Sequence, residues 1–253
     1  MKLVITADDF GAAPEVNAAI AESFRIGLID RTTALANAPC FPESCTLAFE
    51  RGFQDKVGIH FNLTNGPALS PLMAAAPGFC DGSGHFTYRR NSKAYVTRAE
   101  REALADECER QVSRLHEAGL RPTYFDSHHH VHTEWFIFQA IEPVLKRWGF
   151  SSVRISKNLG HSSFARSAYK SIFNLYLKRS RLNGTDYFGD YREVLAWLST
   201  MKDGRDCRVE VMTHPRMDCR GVIVDTCSGG ELQEAICRLM TGMHEPERES
   251  ALV

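Results

Sequence analysis

The chain has 253 residues, 43% of them hydrophobic, with 30 basic and 31 acidic side chains and a formal net charge of −1. That length and apolar share suffice for a sizeable core, suit a single α/β barrel and exclude a largely disordered chain. The balanced charge excludes the basic excess of a nucleic-acid-binding domain, and no apolar run approaches a bilayer span.

The chain opens MKLVITADDF, reaching a double aspartate too soon for the apolar stretch of a signal peptide. None of the eight cysteines forms a CxxC pair. Together these point to reduced thiols in a cytoplasmic protein. Residues 3–6 predict a buried strand. A helix follows over 17–27, with Val16, Ile20 and Phe24 at four-residue spacing and Gly27 as its stop. Residues 31–37 read as a strand, 44–51 as a short helix and 56–64 as a strand. The 65–96 stretch holds Pro67, Pro71, Pro77 and four glycines without a clear period, and reads as an inserted loop or lid. Thr97 and Glu100 have the spacing of a capping box, opening a long helix to Gly119. Then come a strand at 123–128, a helix at 134–148 that Pro143 would kink, a strand at 152–156, helices at 162–182 and 191–201, a strand at 208–214 and a helix at 230–243.

This alternation implies parallel strands joined through helices. About seven strands in one domain spanning 1–253 fit an α/β fold of the distorted (β/α) barrel type better than an open doubly wound sheet.

The polar residues at the strand ends carry the chemistry. The first strand ends in TADDFG, another in GIHFNLT, a third runs into DSHHHVH, and a late one ends in MTHP. In a parallel fold the carboxyl ends of strands lie on one face, where active sites are built. A helix cap explains one of Asp8 and Asp9 but not both. Adjacent carboxylates can divide labour, one ligating a metal and one taking a proton. His60 alone reads as structural; beside Asp9 and a second histidine it reads as a ligand. Strand alternation puts Asp126, His128 and His130 on one face, whereas a helical turn puts His128 and His132 together. His128 is favoured either way, with His130 and His132 as rivals for a role behind it and His129 as a bystander. Asp126 suits an acceptor that fixes the tautomer of a ligating imidazole. His214 either buttresses the barrel mouth or supplies a proton to a leaving group. His85, His116, His161 and His244 read as ordinary loop or surface residues.

TADDFG, GIHFNLT, DSHHHVH and the late THP together resemble the YdjC-like carbohydrate deacetylases, over nearly the whole chain. The full DSHHHVH is closer to the chito-oligosaccharide branch than to the hopanoid-associated one. The resemblance implies a distorted barrel, one divalent metal ion and removal of acetyl groups from N-acetylated sugars. It carries Asp9, His60 and His128 over as metal ligands, Asp8 as catalytic base and His214 as proton donor. The wider polysaccharide deacetylases use an HxxxH pair, which His128 and His132 match as a competing assignment. Two imidazoles and a carboxylate suit zinc, cobalt or manganese, while some members of the family use magnesium, so the metal is left open between Mg²⁺ and Zn²⁺.

The expected partner is a small N-acetylated sugar, with no nucleic acid and no membrane. An exposed apolar helix face would support a homodimer, though the sequence does not locate it. Phe79, Phe86, Tyr88 and Trp135 are candidate sugar platforms by position. One rival is another metal hydrolase such as a phosphoesterase, for which Arg154 and Arg216 would clamp phosphate. The other is a non-catalytic sugar- or metal-binding barrel.

Overall fold

The computed structural model describes residues 1–182, 184–200 and 206–242. In chain order these form β1 (Lys2–Phe10), α1 (Pro14–Arg25), β2 (Arg31–Ala34), α2 (Phe41–Glu50), β3 (Val57–Phe61), α3 (Pro71–Ala74), α4 (Arg98–Glu117), β4 (Tyr124–Ser127), α5 (Trp135–Arg147), β5 (Ser152–Val153), α6 (Phe164–Arg179), β6 (Tyr187–Asp190), α7 (Tyr191–Leu198), β7 (Arg208–Thr213), β8 (Pro215–Met217), β9 (Ile223–Asp225), β10 (Gly230–Glu231) and α8 (Leu232–Gly242).

Seven strands make one parallel, curled sheet in the order β5-β4-β3-β2-β1-β7-β6. The distorted-barrel expectation therefore holds, with the sheet open between β5 and β6. Central strands such as β3 are buried along their whole length, as expected where helices cover a parallel sheet. Ile5, Ala7, Ile59, Phe61, Phe125, Val209 and Val211 form its apolar centre. A small antiparallel sheet, β10-β9-β8, follows directly from β7.

Local chemistry accounts for several element ends. Thr97 accepts from Glu100 N while the Glu100 side chain accepts from Thr97 N, the predicted capping box. Asp190 and Glu193 form a second box at α7. The predicted strands 31–37 and 152–156 end early, at Ala34 and Val153. The helices predicted over 191–201 and 230–243 run past the described residues at 201 and 243, and His244 also lies outside them.

The 65–96 segment is built into the core rather than loose over it. Met73, Phe79, Cys80, Phe86 and Tyr88 are buried, and the Glu107 carboxylate accepts from Leu69 N and Ser70 N. Tyr88 donates to Glu134 Oε2 at 2.8 Å. Phe79, Phe86 and Tyr88 are 0%, 7% and 4% exposed, so their rings do not offer the faces a sugar would stack on; the sequence could not distinguish an aromatic platform from an aromatic anchor. Among the described residues, no helix is long and apolar enough to cross a membrane.

Candidate active site

The backbone is most unusual where β1 ends. Its register with β2 runs Thr6–Arg31 and Ala7–Thr32, then jumps to Phe10–Ala34. The extra residue makes a bulge, a common device for re-aiming a side chain beside a site. Inside it Asp9 has φ 69°, a left-handed conformation that costs a non-glycine residue about 1–2 kcal/mol. A regular strand would send Asp8 and Asp9 to opposite faces. Here both reach the same group of side chains, with carboxylate oxygens of each near His60. Gly11 follows at φ 94°, where a Cβ would sit 3.1 Å from the Phe41 Cα, so the turn out of β1 requires glycine. Buried Asn17 pins that turn by accepting from Gly11 N at 2.8 Å.

Asp8 lies beneath the rim, 1% exposed. Arg154, entirely buried, grips it with two parallel bonds, Nη1 to Oδ2 and Nη2 to Oδ1, each 2.7 Å. The same guanidinium meets Asp126 Oδ2 at 2.8 Å and Glu210 Oε1 at 2.9 Å, and Tyr124 donates to Glu210 Oε1 at 2.6 Å. Burial pushes the Asp8 carboxyl up, but Arg154, His60 and His214 outweigh it and hold the group at about 2. Asp8 is therefore ionised at neutral pH.

At the rim, Asp9 Oδ1 lies 3.2 Å from His60 Nε2 and 2.9 Å from His128 Nδ1. Neither contact has hydrogen-bond geometry, so this buried oxygen has no hydrogen-bond partner. The other nitrogen of His60, Nδ1, sits 2.7 Å from Asp126 Oδ1. Thr33 Oγ1 also lies 3.1 Å from it and donates to Asp126 Oδ2. With Nδ1–H given to Asp126, the ring directs Nε2 toward Asp9, where displacement of the Nε2 proton would present a lone pair to a cation. Burial disfavours the imidazolium, yet the Asp126 and Asp8 charges raise the His60 pKa to about 10. The Asp9 carboxyl is held well below its usual range, burial being overcome by the two imidazoles. A cation between the three groups would satisfy the same field. The donor set, one carboxylate oxygen and two imidazole nitrogens with one oxygen orphaned, fits a divalent metal that keeps an open position.

The histidine cluster follows neither pattern that its spacing offered. Residues His128–Thr133 form a 3₁₀ segment broken by two left-handed residues, His129 at φ 53° and His130 at φ 56°. His128 faces Asp9. His132 turns inward, with Nδ1 2.5 Å from Ser127 Oγ and Nε2 2.9 Å from the Arg154 carbonyl oxygen. Both of its nitrogens are taken, so an HxxxH pair with His128 is not formed. Burial, reinforced by the Arg154 charge, lowers its pKa to about 3. His130 packs edge-on to Phe188 at 5.7 Å with Nδ1 buried and unpartnered. His129 is exposed and stacks on His128 at 4.0 Å.

His214 follows β7, with Nε2 3.9 Å from Asp8 Oδ2. Burial lowers its pKa, but Cys227, Asp8 and Asp9 together raise it to about 9, so the ring carries a proton at neutral pH. Arg154 and Arg216 do not form a phosphate clamp. Arg154 is consumed by three carboxylates, and Arg216 pairs with Glu15 at the surface. The roles of Glu210 and Tyr124 in holding Arg154 were not read from the sequence. The available signals are an arginine among the apolar residues of SVRIS, just past β5, and a glutamate between two valines of β7, because such charges are rarely buried unless paired.

Carbohydrate deacetylases from Brevibacillus brevis and Listeria monocytogenes are 32% and 30% identical to the chain, each match covering 85% of it and 81% of the relative. One from Geobacillus stearothermophilus is 35% identical over 57% of the chain and 56% of its own length. A crystal structure from Enterococcus faecalis V583, described provisionally as a cellobiose-phosphate cleavage protein, superposes with a TM-score of 0.71 at 21% identity, covering 97% of this chain and 94% of that one; it supports the fold alone. The family model for YdjC-like proteins matches residues 2–251, and the chain belongs to that family.

Proposed function

We infer that this chain, a carbohydrate deacetylase by its relatives, hydrolyses the acetamide of N-acetylated amino sugars or chito-oligosaccharide-like oligomers with the help of one divalent metal ion. The observation that carries the reading is the orphaned Asp9 Oδ1 facing His60 and His128. Asp9, His60 and His128 would hold the ion, Mg²⁺ or Zn²⁺. When bound, it supplies Lewis-acid chemistry, polarising the acetamide carbonyl and acidifying water.

The chain's own residues do the rest. Asp8, kept ionised by Arg154, accepts the proton of the attacking water. Arg154 fixes the carboxylate by a two-point grip and leaves it little rotational freedom. Asp126 holds the His60 ring through Nδ1, and Ser127 and His132 fill the space beneath the cluster. His214 carries a proton on the side of Asp8 and gives it to the departing amine. His130 lines the wall between Arg154 and Phe188. Arg90, which donates to Thr133 Oγ1 beside the histidines, belongs to the 65–96 segment, the part of the chain we assign to covering a bound sugar. The homodimer has its best footing on α6, where Phe164, Ile172 and Leu175 are exposed.

The test is acetate release from mono- and oligo-N-acetylglucosamine, with and without chelator. Acetate release that chelation abolishes and a divalent salt restores is the expected result. Release indifferent to chelation, or no release from any acetylated sugar, would overturn the reading. The phosphoesterase alternative loses support because its two candidate cations are already paired.

A further inference from the structure

A second set of metal-type donors meets at His214. His214 joins β7 to β8, Asp225 ends β9, and Cys227 stands in the turn before β10. Their Nδ1/Nε2, carboxylate and Sγ donor atoms lie within 4.8 Å of one another. The backbone fixes this arrangement. Asp225 Oδ1 accepts from His214 N at 3.0 Å and from Cys227 N at 3.2 Å, and Oδ2 accepts from Ser228 Oγ at 2.8 Å. Pro215 pairs with Asp225 across the β8–β9 ladder.

Two features set this cluster apart from an ordinary turn. His214 Nδ1 is buried and meets no group at hydrogen-bond geometry, while Asp225 and Cys227 bring donor atoms within 4.8 Å of a ring nitrogen. An unpartnered buried ring nitrogen is unfavourable, and a ligated cation would give it a partner. Asp225 Oδ2 uses one lone pair on Ser228 and keeps another, while Cys227 is exposed and gives a cation a route in from solvent.

We propose that His214 Nδ1, Cys227 Sγ and Asp225 Oδ2 form a second cation site, selective for soft divalent ions of the zinc, cobalt or cadmium kind. A thiolate with an imidazole suits those ions and rejects magnesium. Binding is a ligand exchange without redox: the Cys227 thiol and the His214 Nδ1–H each lose a proton to solvent, Sγ, Nδ1 and Asp225 Oδ2 each form a bond to the cation, and the cation gives up three waters.

The consequence for deacetylation rests on the reading of His214 as proton donor. A ring whose Nδ1 holds a cation can give up its Nε2 proton only by becoming an imidazolate, a far poorer acid than an imidazolium. Occupancy of the second site should therefore slow the enzyme. Hard cations would fill the rim alone and activate; zinc would activate at low concentration and inhibit at higher concentration.

The experiment combines metal counting with a spectroscopic signature. Wild type and Cys227→Ser are titrated with Co²⁺, recording near-ultraviolet sulfur-to-cobalt charge transfer and, by equilibrium dialysis, the equivalents bound. Cys219→Ser and Cys237→Ser control for the other exposed thiols. His60→Ala removes the rim site, so that the remaining equivalent is read alone. The expected result is a thiolate band in wild type, His60→Ala and both control variants, absent from Cys227→Ser together with one bound equivalent. Circular dichroism of each variant confirms folding, and Cys227→Ala repeats the test with a smaller side chain. No thiolate band in wild type, or an undiminished band in folded Cys227→Ser, would overturn the site. These readouts stand whether or not acetate is ever released. With an active enzyme, the inhibitory limb of the zinc titration should also vanish in Cys227→Ser, relative to that variant's own activity; its persistence would overturn the coupling to His214.

Discussion

The rim and the floor of the site use the same kinds of side chain to opposite ends. On the floor, Arg154 ties Asp8, Asp126 and Glu210 together at 2.7–2.9 Å, out of contact with water. On the rim, Asp9 stands in a left-handed bulge with one oxygen unsatisfied against two imidazoles. The floor neutralises buried charge and thereby fixes geometry. The rim leaves a buried oxygen without a hydrogen-bond partner, and a group bound there would account for it. His60 belongs to both, one nitrogen given to the floor through Asp126 and the other to the rim.

Substitutions can separate the two layers. The largest effect is expected for Asp8→Asn, which keeps the proposed metal ligands but removes the proposed base. Acetate release should fall by about 10²–10⁴-fold with metal content unchanged, and a parallel loss of metal would merge floor and rim. Next comes Arg154→Met, which strands three buried carboxylates. Breaking such a buried network costs about 3–5 kcal/mol, read as a lower denaturation midpoint. A midpoint close to wild type would show that the carboxylates find other partners. Asp126→Asn loosens the hold on His60 Nδ1 and weakens the pairing with Arg154, and should lower metal affinity by about 10–100-fold as measured by competition with a chelating dye.

The pH dependence has two limbs of opposite sign. Asp8 is depressed to about 2 from an ordinary 3.8, so its stabilising contribution is present above pH 3.8 and lost as pH falls through 2. His214 is raised to about 9 from an ordinary 6.5, so its contribution is complete below pH 6.5 and lost as pH rises through 9. Denaturant titrations of wild type and His214→Gln should converge above that pH; a constant gap would deny the charge its role. The smallest effect is expected at His129, whose ring is exposed and whose Nδ1 meets only Thr64 Oγ1. His129→Ala should change stability by no more than about 0.5 kcal/mol.

Much of this was legible in the sequence, and what was not has identifiable causes. Six of the seven parallel strands announce themselves as apolar runs. The seventh, Tyr187–Asp190, is four residues long and half occupied by Gly189 and Asp190, the latter already committed to capping α7. The antiparallel strands are two or three residues each, too short for a period to appear. The motifs brought Asp8, Asp9, His60, His128 and His214 to one face as expected. Periodicity failed inside DSHHHVH because two consecutive left-handed residues obey neither the strand nor the helix repeat. The bulge at Asp9 was equally invisible, since it depends on register with β2. Arg154 was visible but misassigned: a strand pattern can show that a cation is buried, not which carboxylates surround it.

The most direct measurement is anomalous diffraction from crystals soaked with one equivalent of Mn²⁺. The account predicts a single peak about 2.0–2.3 Å from Asp9 Oδ1, His60 Nε2 and His128 Nδ1. A peak elsewhere with those three side chains unoccupied, or His60 and His128 drawn apart with no ion between them, would contradict it.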